Sequence, residues 1–224
     1  EYGFDIRQRI AHSPEGMSRE NWRTLAELGW LSIPFAEAHG GFGGGAVDIM
    51  VVMEQLGKGL VVEPYLATVL LFGGLLERAA SAELQEAFIP RIIAGECQGA
   101  FAFLERQSRF ELADVATTAK PAGNGYILNG EKVVVLNGTQ AEYAVVSART
   151  SGEQSDQHGI SLFLVALDSP AVKRHSYRMM DGQLVANLVF TDAQVLAGQL
   201  LGELDKGYAQ IETAALQANL ALAA

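Results

Sequence analysis

The chain has 224 residues, 49% of them hydrophobic and 19% charged, with a formal net charge of −10. That length holds one large domain or two smaller ones with a proper core, and the composition belongs to a folded chain and not a disordered one. An acidic chain without a basic cluster excludes binding to a phosphate backbone, so nucleic acid is not an expected partner.

Cys97 is the one cysteine. It excludes an internal disulfide and a cysteine metal cluster, and it is compatible with a reducing cytoplasm. The most apolar region, residues 60–76, is interrupted by Glu63, Pro64 and two glycines, too broken for a membrane span. No basic start followed by an apolar run marks a signal peptide. The chain starts at Glu1 without methionine and stops among helix formers at residues 220–224, without a glycine cap or a proline stop. Those missing signals lead us to expect a truncated chain or a disordered remainder.

Ser18 caps the first clear helix, in which Trp22, Leu25, Ala26 and Leu28 recur at helical spacing before Gly29. The following loop, residues 37–45, carries Gly40, Gly41, Gly43, Gly44 and Gly45. A phosphate cradle would follow a buried strand and its P-loop form would end in Gly-Lys-Ser/Thr, so this loop reads as a tight connection between helices. A second helix runs over residues 46–57. A third starts near Pro64 and covers residues 65–78. A fourth starts at Ser81 and ends at Gly95.

At Gly99 the pattern changes to short β-type runs at residues 100–104, 115–120, 126–128, 133–136, 143–148, 160–167, 173–178 and 184–190. Three Asn-Gly pairs, at Asn124, Asn129 and Asn137, each signal a tight hairpin, because both residues tolerate the positive φ of such turns. Residues 152–159 read as a polar surface loop, and after Gly207 the helical pattern returns. The fold class is therefore α and β segregated, with an N-terminal helical domain (1–98), a middle antiparallel β-barrel domain (99–198) and the start of a C-terminal helical bundle (199–224). This order excludes an alternating βαβ dinucleotide fold.

No catalytic set stands out from residue chemistry alone. His12, His39, His158 and His175 are scattered without zinc-ligand spacing, so no metal site is expected, and no Gly-x-Ser-x-Gly elbow occurs. The cluster Glu105-Arg106-Gln107-Ser108-Arg109 closes an apolar run. Strand-end loops often hold ligands, but the plainer reading of this pattern is surface salt bridging.

The spacing of the Asn-Gly region carries more. Tyr126-Ile127-Leu128-Asn129-Gly130-Glu131-Lys132, then Asn137-Gly138 and Ala148-Arg149, resembles the middle domain of acyl-CoA dehydrogenases. Leu28-Gly29-Trp30, Gly40-Gly41-Phe42-Gly43, Glu54-Gln55-Leu56-Gly57 and Pro90-Arg91-Ile92-Ile93-Ala94-Gly95-Glu96 are similar to landmarks of the same family's helical domain. Glu63-Pro64-Tyr65-Leu66-Ala67-Thr68 and Gln107-Ser108-Arg109-Phe110 are similar to a bacterial subgroup, the small subunits of pimeloyl-CoA dehydrogenase type.

The resemblance implies FAD held between the β domain and a C-terminal bundle that this chain barely enters, with an acyl-CoA thioester along the flavin ring. A carboxylate of the bundle would remove the α-proton while a hydride leaves the β-carbon for the flavin. The catalytic base is thus unknown in this chain. An electron-transferring flavoprotein would be the electron acceptor. Homo- or hetero-oligomerisation with a large subunit is implied as well. The family's two flavin-facing segments map onto Phe103, Leu104 and Glu105 and onto Val134, Val135 and Leu136, and its substrate-facing serine onto Phe110. Here Leu104 replaces a threonine, Val134 an indole and Leu136 a hydroxyl, so any hydrogen bonds to the ring come from backbone amides. Arg106 stands where the family has proline. Its readings are a cation near the flavin or a substrate carboxylate, or a solvated surface arginine. Two functions remain open: a flavin-dependent dehydrogenase subunit acting on acyl-CoA, with dicarboxylic or bulky chains among the candidates, or a non-catalytic, flavin-poor partner subunit of a heteromeric dehydrogenase.

Overall fold

The computed structural model describes residues 2–224, and Glu1, where the chain starts, lies outside the described residues. The helical part consists of α1 (Phe4–His12), α2 (Arg19–Glu27), α3 (Ala46–Lys58), a π-helical stretch Tyr65–Gly73 that runs into α4 (Gly74–Ala79), and α5 (Ala82–Ile93). The expected serine caps are in place: Ser18 Oγ accepts the Asn21 N–H at 3.2 Å and Ser81 Oγ the Leu84 N–H at 3.4 Å. Helix α1 has no counterpart in the sequence reading, because it buries only Ala11.

The π-helical stretch is apolar all round, as suits a segment enclosed by its neighbours, and only Leu66 among its residues is not buried. It packs directly on the sheet. Thr68 donates to the Gly99 carbonyl at 3.1 Å, and a Cβ on Gly99 would stand 2.1 Å from Cδ1 of Phe72. Only glycine permits that approach.

Eight strands follow: β1 (Gly99–Ala102), β2 (Thr118–Ala122), β3 (Gly125–Leu136), β4 (Tyr143–Arg149), β5 (Ile160–Ala166), β6 (Val172–Arg178), β7 (Leu184–Leu196) and β8 (Leu200–Leu201). Their order is β6-β7-β3-β2-β4-β5-β8, with β1 beside β4, and pairing is antiparallel except where β1 and β2 meet β4. The expected barrel does not form. Closure requires the outer strands to pair, and here β8 has two residues while β6 exposes Lys173, His175 and Arg178 along its edge. The result, among the described residues, is an open sheet of eight strands.

The Asn-Gly expectation also needs correction. Only the first pair lies at a hairpin, where Gly123, at φ +55°, and Asn124 link β2 to β3. Asn129-Gly130 is inside β3, which runs through it with a register shift. Asn129 Nδ2 donates to Asp192 Oδ1 at 3.0 Å, Asn129 Oδ1 accepts the Asp192 N–H at 2.9 Å, and Asp192 takes φ +49°. Asn137, at φ +58°, ends β3 without returning it as a hairpin.

Alternation along β4 and β5 sorts their side chains into two cores. Val145, Ile160, Leu162 and Leu164 join the helical core, while Ala144, Val146, Phe163 and Val165 fill the other face of the sheet. Helix α6 (Tyr208–Leu222) buries Ile211, Ala214, Ala218 and Ala221 against the helices and leaves Leu216, Leu220 and Leu222 exposed.

Candidate functional site

The connection leaving β1 runs alongside β3, and the Val133 N–H donates to the Leu104 carbonyl at 2.8 Å. This bond brings together the two segments that the sequence singled out. Beside it lies an open hollow of about 310 Å³, lined by Leu104, Val133 and Val134 with Arg106, Arg109, Tyr177 and Asn187 around them. Glu105 also borders it.

The hollow's floor is shaped by a β-bulge. Lys132 pairs with Leu188 and Val135 with Ala186, so Val133 and Val134 together oppose Asn187. Val134 takes φ +51°, a left-handed conformation rare for a β-branched residue and characteristic of sites where the surroundings impose it. Its N–H donates to Asn187 Oδ1 at 3.3 Å.

Beneath the floor is a buried ion pair. Lys132 Nζ lies 2.6 Å from Glu105 Oε1, and the two side chains are 0% and 3% exposed. The ammonium also donates to Ser147 Oγ on β4 at 2.9 Å. Glu105 accepts the Thr117 N–H at 3.0 Å through Oε1, and through Oε2 the Ala116 N–H and Gln107 Nε2, each at 2.8 Å. Burial pushes the Glu105 pKa up, but the charge and hydrogen bond of Lys132 outweigh it and hold the carboxyl at about 2. Burial pulls Lys132 down to about 8 against the attraction of Glu105. Both are charged at neutral pH. Glu105 therefore is not part of a surface salt-bridge cluster, and it is not a free carboxylate for proton transfer.

The other sequence-selected residues divide as follows. Phe103 stacks on Phe101, ring centroids 4.6 Å apart, and does not line the hollow. Val135 is buried in the sheet core, and Leu136 packs on the helical core. Phe110 is 99% exposed on the loop beyond Arg109. Arg106 is solvent-facing, with Nη2 3.7 Å from Glu131 Oε1. Tyr177 and Asn187 escaped the sequence reading because they reach the hollow from β6 and β7. Lys132 did carry a signal, a lysine opening the apolar run Val133-Val134-Val135-Leu136.

A second, more apolar cavity of about 280 Å³ lies between α3, the π-helical stretch and α6, lined by Phe35, Ile49, Leu70 and Leu220 and by Glu77 and Arg78. Arg78 Nη1 donates to Gln217 Oε1 at 2.7 Å, while its Nε and Nη2 are buried without a partner. Among the described residues no group of three or more His, Cys, Asp or Glu is placed to hold a metal, and no helix is long and apolar enough to cross a membrane.

Comparison with known proteins agrees with the motif spacing. The acyl-CoA dehydrogenase N-terminal domain matches residues 6–96 and the acyl-CoA dehydrogenase middle domain residues 100–193. The mouse (Mus musculus) mitochondrial long-chain specific acyl-CoA dehydrogenase is 37% identical over 207 residues, 86% of this chain and 46% of that protein. The chain thus spans about half the length of the curated relatives it matches. Solved structures share the fold. The FAD complex of PigA has a TM-score of 0.86 at 24% identity, covering 95% of this chain and 57% of its own. The ChsE4–ChsE5 complex from Mycobacterium tuberculosis has a TM-score of 0.85 at 22% identity, covering 96% and 55%. This chain belongs to the acyl-CoA dehydrogenase family and carries that family's N-terminal and middle domains.

Proposed function

We propose that this chain is part of a flavin-dependent acyl-CoA dehydrogenase subunit that desaturates the α,β-bond of an acyl-CoA thioester. FAD would sit against the hollow beside Leu104 and Val134. Bound there, the flavin supplies the acceptor for the hydride. The observation that carries the reading is the Val133–Leu104 hydrogen bond of 2.8 Å, which joins the two flavin-facing segments into one wall. That wall fits the group's chemistry: an apolar floor for a flat aromatic ring, with Arg106, Arg109 and Asn187 as donors for its polar edge. The site residues in this proposal are Leu104, Glu105 and Val134 at the hollow and Phe110 toward the substrate, with Phe103, Val135 and Leu136 backing the cofactor wall from the two cores. Glu105 contributes as a buried anchor. No catalytic base is assigned, since the carboxylate bordering the hollow is committed to Lys132.

The acyl chain in this proposal is a dicarboxylic or bulky one, the class that the sequence resemblance implies. Division of the chain at residues 98 and 198, a cytoplasmic location and an electron-transferring flavoprotein as acceptor belong to the same proposal. A second reading, a flavin-poor partner subunit, is favoured by Leu104, Val134 and Leu136, none of which offers a side-chain hydrogen bond. The exposed Val47, Met50 and Val51 of α3 and Leu216 and Leu220 of α6 suit a large partner subunit under either reading.

The test is gel filtration of the protein expressed from its complete reading frame, followed by its visible absorption spectrum. The first reading predicts a flavin band that elutes with the protein. A colourless protein that gains the band only when co-expressed with a large subunit overturns it in favour of the second.

A further inference from the structure

The Lys132–Glu105 pair poses an energetic question. Burying two charges costs several kcal/mol of hydration each, and replacing such a pair by neutral side chains is often neutral or stabilising. Net stability is therefore a weak reason for this one. Its placement offers another. Glu105 directly follows Leu104, and Lys132 directly precedes the Val133-Val134 bulge, so the pair sits under both sides of the hollow. Through Ala116, Thr117 and Ser147 the same cluster reaches the approach to β2 and the middle of β4.

The geometry also fixes register. Successive strand residues point to opposite faces, so a one-residue slip of β3 would turn Lys132 away from the carboxylate. Requiring the 2.6 Å contact therefore forces the extra residue of the bulge to fall at Val133-Val134 and keeps Val134 in its left-handed conformation.

We infer that Lys132 and Glu105 are positioning residues: their buried contact sets the placement of Leu104 and Val134, and through them the flavin-binding wall. This inference rests on the flavin reading above. It assigns the pair no contact with the flavin or the substrate.

The discriminating variant is Glu105→Gln/Lys132→Met, which removes both charges and keeps one amide oxygen for one of the two backbone donors, Ala116 or Thr117. In the full-length flavoprotein its urea midpoint stays close to that of the single-site control Ser147→Ala. Its flavin dissociation constant rises about tenfold, equivalent to about 1.4 kcal/mol, and the visible flavin spectrum shifts. Ser147→Ala removes one acceptor of Lys132, keeps the pair, and moves flavin affinity in the same direction by less. Should the double variant fail to fold, Ser147→Ala and Lys132→Arg decide. Weakened flavin binding with Ser147→Ala, together with binding closer to wild type in Lys132→Arg, which keeps a cation on Glu105, supports the inference. A folded double variant, or the Ser147→Ala and Lys132→Arg pair, with wild-type flavin affinity and spectrum refutes it. A wild-type protein that binds no flavin, alone or with a large subunit, refutes the cofactor reading and the positioning role together.

Discussion

Replacing Lys132 by methionine preserves most of the side-chain volume and removes one charge of a pair that is 0% and 3% exposed. Removing a single partner of such a pair costs about 3–5 kcal/mol, because the other charge stays buried. After Lys132→Met, Glu105 still accepts from Ala116, Thr117 and Gln107 at 2.8, 3.0 and 2.8 Å. Those three bonds place the variant at the lower end, about 3 kcal/mol. After Glu105→Gln, the ammonium keeps Ser147 Oγ at 2.9 Å and the Phe103 carbonyl at 3.5 Å, both neutral. We expect about 4 kcal/mol for that change. The double variant buries no charge and leaves only an amide facing backbone donors, so it should cost about 2 kcal/mol. The thermodynamic cycle, measured by urea unfolding at neutral pH, then shows a coupling of about 5 kcal/mol. High salt should leave that coupling largely intact, since buried pairs are poorly screened. Additive effects, or single variants within about 1 kcal/mol of wild type, would refute the placement of this pair in the core.

Other consequences follow from the same geometry. Since Glu105 is held at about 2, below its unfolded value, its contribution to stability is complete above the usual carboxylate range. That contribution is lost as pH falls toward 2, so wild type should lose more stability on the acid side than Glu105→Gln does in a pH series of urea midpoints. At Val134, glycine would relieve a left-handed conformation worth about 1–3 kcal/mol of strain, so Val134→Gly should be less destabilising than Val133→Gly in the same unfolding assay. Gly99→Ala would place a methyl 2.1 Å from the ring of Phe72, which is fully buried. Such overpacking costs about 1–3 kcal/mol, readable as a lowered thermal midpoint.

The sequence made some features legible and hid others for physical reasons. Ser18 and Ser81 marked helix starts because a serine hydroxyl satisfies free N–H groups locally. The runs at β4 and β5 were visible because strands buried on both faces are continuously apolar. Asn129-Gly130 misled, since the same tolerance of unusual φ that makes a hairpin also accommodates close passage inside a strand. A Cβ on Gly130 would stand 2.5 Å from Thr117 Oγ1, and the chain runs straight on. Barrel closure depends on whether β6 and β8 meet, which no local pattern records. The hollow was half legible. Leu104 and Val134 were found through family spacing, whereas Tyr177 and Asn187 arrive from strands far along the chain. Glu105 was mistaken for a surface charge because its partner Lys132 lies 27 positions away.

The most direct measurement is anaerobic addition of acyl-CoA thioesters to the flavin-loaded, full-length protein while its visible spectrum is followed. Oxidation of the α,β-bond predicts that the flavin band bleaches with at least one chain type and returns on addition of an electron acceptor. A flavin-loaded protein whose band is unchanged across straight, branched and dicarboxylic acyl-CoA would contradict the assignment of dehydrogenase activity.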